Sequence, residues 1–152
     1  MIRIGVDFGG TKIEAAALDA QGRFQARVRG ASPRDYAAGL EAVRELVAEA
    51  ERQAGAKGAS VGVGGPGSPS PSSGLMRNAN STELNGHPFP ADLARVLERP
   101  VDYVVPEDVR TARLSQERGS PFVLDMPRTP IARGIQRIAR YWTDSNNGRK
   151  GT

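Results

Sequence analysis

Hydrophobic and polar positions alternate in part over Ile2-Arg3-Ile4-Gly5-Val6-Asp7-Phe8, and the segment is rich in β-branched residues. That is the signature of a half-buried β-strand. Gly9-Gly10-Thr11 interrupts the run, and residues 12–19 resume it. Two strands joined by a glycine pair predict a β-hairpin. Ala20-Gln21-Gly22 is a second turn and residues 23–30 a third strand, so the chain opens as an antiparallel meander. The period then changes. Tyr36, Leu40, Val43, Leu46, Val47, Ala50 and Ala54 recur every three to four residues, which predicts a helix over residues 33–54. Ser32 is its expected cap, Pro33 its first helical residue and Gly55 its stop, with Asp35 favouring the positive end of the dipole. Residues 59–64 read as a short buried strand, residues 91–97 as a short helix and residues 101–105 as a strand. Between them, residues 65–74 hold three prolines and cannot be helical, so they form either a linker or part of a site. Strands and helices alternate, and the class is α/β or α+β.

The pattern frays after Val105. Residues 106–127 show no clean period. Thr129-Pro130 then opens a helix in which Ile131, Ile135, Ile138 and Trp142 share a face and Arg133, Arg137 and Arg140 lie off it. Gly134 inside that helix costs about 1 kcal/mol. The polar residues 145–152 are expected to fray. Leu, Ile, Val and Phe make up 31 of 152 residues, so the core is thin. Gly 18 and Pro 11 add to that impression.

Composition removes several chemistries. Zero Cys excludes a disulfide scaffold, thiolate zinc sites, iron–sulfur clusters and a cysteine nucleophile. The single histidine, His87, cannot build a His-based metal site alone. No apolar run approaches the roughly 20 residues of a membrane span, and the opening is strand-like rather than a signal peptide. A cytoplasmic protein with no membrane partner is the expectation. The net charge of +4 is unevenly placed, +1 through Val101 and +3 over residues 102–152.

Three segments are candidates for chemistry. In Asp7-Phe8-Gly9-Gly10-Thr11-Lys12, glycines let backbone N–H groups approach a phosphate, Thr11 adds a hydroxyl, Lys12 adds charge, and Asp7 can orient magnesium through water. By spacing alone the segment is equally an ordinary Gly-Gly hairpin with a solvated lysine. It is not a Walker A loop, since the Gly-x-x-x-x-Gly-Lys pattern and its helix are missing. Gly62-Val63-Gly64-Gly65-Pro66-Gly67 formally satisfies G-x-G-x-x-G, yet Pro66, Pro69 and Pro71 forbid the helix that would hold a dinucleotide's pyrophosphate. A loop that approaches a small polar ligand fits it better. Arg77-Asn78-Ala79-Asn80-Ser81 with Leu84-Asn85-Gly86 offers paired donors and acceptors of the kind sugar hydroxyls require. Unaided, a polar turn is the commoner explanation of such a run.

Together these residues resemble the ROK family of sugar kinases, especially its bacterial fructokinase and N-acetylglucosamine kinase members. The matching runs are residues 4–12, residues 62–67, and Gly74-Leu75 followed by Asn78-Ala79-Asn80-Ser81 and Leu84-Asn85-Gly86, the last being the most fructokinase-like. The resemblance implies an α/β chain carrying the N-terminal lobe of an actin-like, ribonuclease-H-like ATPase fold. It implies phosphoryl transfer from Mg·ATP to a hexose hydroxyl. By this likeness Gly9, Gly10, Thr11 and Lys12 would line the ATP phosphates with Asp7 near the metal, and Gly65, Pro66, Asn78 and Asn80 would shape the sugar pocket. Glu83 stands where fructokinase-like members often carry Trp.

The likeness covers residues 1–101 and leaves residues 102–152 as a non-matching tail, partly helical or disordered. Where the family continues with Asn-Asp-Ala-Asn, whose Asp accepts the sugar proton, this chain reads Val104-Val105-Pro106-Glu107-Asp108-Val109. Glu107 and Asp108 are the weak substitutes. The expectation is a truncated kinase with impaired or no catalysis, its exposed lobe face prone to self-association. The alternatives are a phosphate-, sugar- or partner-binding module, or a basic tail that binds nucleic acid. Three arginines on one short helix are more often a solvated face, so nucleic acid is not the expected partner.

Overall fold

The computed structural model describes residues 1–147 and divides into two compact units, Met1–Pro100 and Val101–Thr152. The first unit is built on a four-stranded mixed sheet. Strands β1 (Arg3–Phe8), β2 (Lys12–Leu18) and β3 (Phe24–Ala31) form the antiparallel meander, and β4 (Ser60–Gly64) returns parallel to β1. The strand order is β3-β2-β1-β4. Helix α1 (Tyr36–Gln53) makes the crossover between β3 and β4.

Alternation decides which face is buried. Ile4, Val6 and Phe8 of β1 with Ile13, Ala15 and Ala17 of β2 turn to one side, where Leu40, Val43, Val47 and Ala50 of α1 complete a closed core. Alanines in the central strand let the helix lie close, and Gly39 is the point of tightest approach: a methyl there would stand 3.2 Å from Phe8 Cζ. Helix α2 (Phe89–Val96) adds Phe89, whose ring meets Phe8 edge-on at 5.4 Å, and Leu93. On the opposite face Gly5, Asp7, Gly62 and Gly64 are exposed.

Helix α1 begins later than its Ser-Pro signal. Asp35, not Ser32, is the cap, with its Oδ1 accepting from Ala38 N at 2.8 Å. The reason is that β3 runs on to Ala31 and the next amide, Ser32 N, donates to Thr11 O. Gly55 does end the helix, at φ 61. A short hairpin of β5 (Ser68–Pro69) and β6 (Met76–Arg77) and a 3-10 turn at Thr82–Leu84 fill the way to α2.

The end of this unit is tied back by one arginine. Arg99 donates to Ala59 O and to Glu51 Oε1, both at 2.9 Å, and the same Glu51 oxygen accepts from Ala59 N at 2.7 Å. The pair is largely covered, so losing it strands a carboxylate and a carbonyl.

In the second unit the residues 101–105 predicted as a strand are irregular backbone: among the described residues no strand forms there. β-branched residues favour a strand only where a partner strand exists to pair with. Within residues 106–127, where periodicity predicted nothing, α3 (Val109–Arg118) forms. Its signals are at its ends: Asp108 caps it through Thr111, and Gly119 closes it at φ 62. Helix α4 (Phe122–Asp125) follows, and it touches both α3 and α5 (Pro130–Asn147). Gly134 has a packing reason, because a methyl there would stand 3.3 Å from Pro106 Cδ. Of the polar end, residues 145–147 continue the backbone of α5, and 148–152 lie outside the described residues.

Two predictions follow from this packing. Arg99→Met should lower unfolding free energy by about 1.5–3 kcal/mol, the worth of hydrogen bonds to a charged group. A urea midpoint unchanged from the parent would show that the clasp adds nothing. The second concerns Tyr36, whose hydroxyl donates to Asp92 Oδ2 at 2.8 Å beneath the stacked ring of His87. That bond, and then Arg95, holds the Asp92 carboxyl below its ordinary value of 3.8. A depressed carboxyl stabilises the fold above its unfolded value and loses the contribution as pH falls through the folded one. The stability gap between the parent and Tyr36→Phe should therefore stay constant near neutrality and narrow as pH drops below about 4. A gap that widens in acid would contradict the assignment.

Candidate functional site

The turn between β1 and β2 is closed by Gly9 N donating to Lys12 O at 3.0 Å. A methyl on Gly9 would stand 2.8 Å from that oxygen, which no side chain accommodates without moving the turn. Thus Gly9 is required by close approach of backbone, and neither Gly9 nor Gly10 takes a positive φ. The turn is held from the other side by Ser32 N on Thr11 O at 3.1 Å. Gly10, Thr11 and Lys12 are exposed, and Lys12 makes no ion pair among the described residues.

Asp7 lies one residue before the end of β1 on the open face of the sheet, level with Glu14 on β2 and Gly64 on β4. The two carboxylates differ in their engagement. Glu14 accepts from Arg27 Nε at 2.7 Å, and that bond holds its carboxyl below the ordinary value. Asp7 is exposed and its side chain has no hydrogen bond or ion pair among the described residues. A carboxylate left to water, beside a glycine-lined turn, is the kind of group that holds a hydrated cation. The described residues contain no cluster of three metal-ligating side chains, so such a cation would need other ligands.

After β4 the chain enters Gly65-Pro66-Gly67 and continues into β5, not into a helix. Gly65 lies over Phe8, with a built Cβ 3.6 Å from Phe8 Cβ. Gly67 is the most constrained glycine here. Its φ is 74, and a methyl would fall 2.5 Å from Arg77 O and 2.8 Å from Ala79 N. The chain crosses itself at that point, backbone on backbone.

The crossing fixes residues 77–81. Asn78 sits at φ 58, a conformation Asn tolerates better than most residues. Asn85 folds back onto Ala79, accepting from its N–H and donating to its carbonyl, each at 3.0 Å. Asn85 is therefore spent on the loop. Asn80 is exposed, its Oδ1 accepts from Ser81 N at 3.0 Å, and its amide NH₂ has no partner among the described residues. Ser81 is 4% exposed, its hydroxyl has no partner, and it lies 3.5 Å from where a Gly10 methyl would stand.

Contacts join the segments at three points, Gly10 with Ser81, Gly65 with Phe8, and Gly67 with Arg77 and Ala79, while the Asp7 side chain lies on the sheet face opposite that of Phe8. Gly67 and Ser81 lie inside the motifs read from the sequence but are not among the expected site residues. The Pro-Gly pair signals the turn at the former, while the contact of the latter with Gly10 has no local signal. Glu107 and Asp108 belong to the second unit. Asp108 is engaged as a helix cap, its carboxylate accepting from Thr111 N at 2.9 Å and Thr111 Oγ1 at 2.6 Å. The Thr111 hydroxyl and amide hold that carboxyl below its ordinary value.

Comparison with known proteins gives this geometry a family context. The model of the ROK family matches residues 3–120. An N-acetyl-D-glucosamine kinase of Escherichia coli is 47% identical over 98 residues, 64% of this chain and 32% of its own length. Among solved structures, a ROK hexokinase from Thermus thermophilus is 32% identical at TM-score 0.56, over 66% of this chain and 34% of that one. A ROK family glucokinase from Streptomyces griseus, in complex with glucose and AMPPNP, is 27% identical at TM-score 0.58, over 80% and 38%. The chain thus spans about a third of the length of the curated relatives it matches.

The two kinds of glycine separate experimentally. Gly67→Ala should destabilise by at least the 1–3 kcal/mol or so that a strained backbone costs, and shift the Asn78–Asn80 resonances. Gly62→Ala, with nothing within 4 Å, should stay within about 1 kcal/mol of the parent. Equal unfolding free energies for the two variants would remove the crossing as the organiser of the site.

Proposed function

Because this chain belongs to the ROK family, we propose that its first unit binds Mg·ATP and a hexose, the two ligands of phosphoryl transfer to a sugar hydroxyl. One observation carries the reading: Gly10 of the opening turn lies against Ser81, Gly65 lies against Phe8, and Gly67 crosses residues 77–79 at a distance that only glycine permits.

The residues fit the ligands chemically. Gly10 is exposed and puts no side chain between the turn's backbone and a phosphate, and Lys12 makes no ion pair among the described residues. Asp7 offers a free carboxylate for water molecules around magnesium. When bound, Mg·ATP supplies the transferable phosphoryl group. Asn80, with its carbonyl oxygen committed to Ser81 N, presents a donor to a sugar hydroxyl, and Asn78 presents a donor and an acceptor. Gly65 and Pro66 form a side chain-poor wall for the ring. We take the sugar to be a hexose, with fructose suggested by the Asn78–Gly86 run and an N-acetylated hexose by the E. coli relative.

Binding should exceed catalysis. A general base contributes on the order of 10²–10⁴ in rate, and works best with a pKa near the operating pH. Asp108 moves the wrong way, since capping α3 lowers its proton affinity. A binding module that retains ligand affinity is thus the second reading, favoured by that same carboxylate. No helix among the described residues is long and apolar enough to cross a membrane, and the cytoplasm is the compartment we assign.

Calorimetry should show heat for Mg·ATP, abolished in Lys12→Ala and Gly10→Val, with ADP release from fructose, glucose, mannose or N-acetylglucosamine at least about 100-fold below an ordinary kinase turnover of 1–100 per second. A silent titration of the folded parent removes the proposal. Turnover at the ordinary rate removes its second half and leaves the first standing.

A further inference from the structure

Helix α5 carries a feature that sugar phosphorylation does not use. Arg133, Arg137 and Arg140 line a single cavity of about 610 Å³ together with Gln136, Tyr103 and Tyr141. The arginines recur at four and three residues, so they form one row along about 10 Å of helix. None of the three has an ion pair among the described residues. From Met126 through Thr143 the chain holds four arginines and no carboxylate. Three guanidinium groups in one row, exposed and with no ion pair among the described residues, repel one another unless an anion joins them. The rings of Tyr103 and Tyr141 stand 5.7 Å apart at 58° beside that row.

We propose that this groove binds a single-stranded polynucleotide, its successive phosphates on the arginine row and a base against the tyrosines. The guanidinium fork matches phosphate oxygens in bidentate fashion, and aromatic faces accept any base without regard to sequence. A lone nucleotide would need cations that converge on one point, whereas these are strung along an axis. An anionic bilayer would need the apolar side of the helix. That side is committed in part: Ala132 is fully buried, Ile131 and Ile138 are half-buried and Gly134 lies against Pro106 and Val105, while Ile135 and Trp142 are exposed, so the vesicle measurement below separates a bilayer from a polynucleotide. The sequence pattern alone reads these arginines as a solvated face. What the structure adds is the shared cavity, the tyrosines and the lack of an ion pair to any of the three arginines among the described residues.

Fluorescence anisotropy with a labelled oligothymidylate and the full chain tests this. Affinity should fall with salt at a log–log slope of about −2, the value for three phosphate contacts on a single strand. Arg137→Gln should reduce the slope by about 0.7, and the triple Arg133→Gln, Arg137→Gln, Arg140→Gln variant should weaken binding at low salt at least about tenfold. Tyr141→Leu should weaken binding with the slope unchanged, and Lys12→Ala should bind as the parent does. The single variants keep the test valid if circular dichroism shows the triple one misfolded. Parent-like binding by Arg137→Gln with an unaltered slope overturns the proposal. So does loss of binding in Lys12→Ala, or capture by phosphatidylserine vesicles with no binding to the oligonucleotide.

Discussion

The crossing of main chain at Gly67 is the contact on which the candidate site depends. A built methyl would fall 2.5 Å from Arg77 O, so the 65–67 and 77–79 segments touch with no side chain between them. Such proximity has three consequences. It pins the strand pair Ser68 with Arg77, it holds Asn78 at a positive φ, and it leaves Asn80 and Ser81 next to the opening glycine turn. Asn85 secures the same loop from within by pairing both polar groups of Ala79. The site is therefore made by backbone geometry first, and its side chains inherit their positions.

Beneath it the core provides a rigid floor. Phe8 connects the two levels: it is 1% exposed, meets Phe89 edge-on, touches Gly39 of α1 and carries Gly65 on its β-carbon. The last hydrophobic residue of β1 is thus an element of the fold and the support of a loop. Asp7, one position earlier, faces the other way because strand residues alternate. Alternation along one strand separates the structural residue from the one with a free carboxylate.

What was legible in the sequence follows the range of the interactions. The meander of three strands and the helix over Tyr36–Gln53 rest on periods of two and 3.6, which are local, and both formed. The cap of α1 misled because the competing partner of Ser32 N, the Thr11 carbonyl, lies in another strand. Residues 101–105 have the composition of a strand but no ladder, and composition cannot supply a partner. Helix α3 hid for the opposite reason: Arg110, Arg113, Gln116 and Arg118 blur its apolar period, while Asp108 and Gly119 marked its ends. At the site, the Gly9 turn and the Asn78–Ser81 run were visible as motifs. That Ser81 lies against Gly10 was not, since it depends on the register of the whole sheet.

The two acidic candidates after residue 101 illustrate how local demand assigns a side chain. A carboxylate at a helix start is drawn to free amides, and Asp108 satisfies Thr111 N together with the Thr111 hydroxyl. Both bonds favour the ionised form, so the group is stabilised as a cap in proportion to its loss as a proton acceptor. Asp7 shows the reverse: no amide, hydroxyl or cation of the described residues claims it, and its charge remains available to a ligand. By this criterion Asp108 is committed to its helix, while Asp7 keeps a carboxylate that no described residue engages. Gly9 and Gly67 answer a local demand in the same way, each standing where a methyl would collide with backbone.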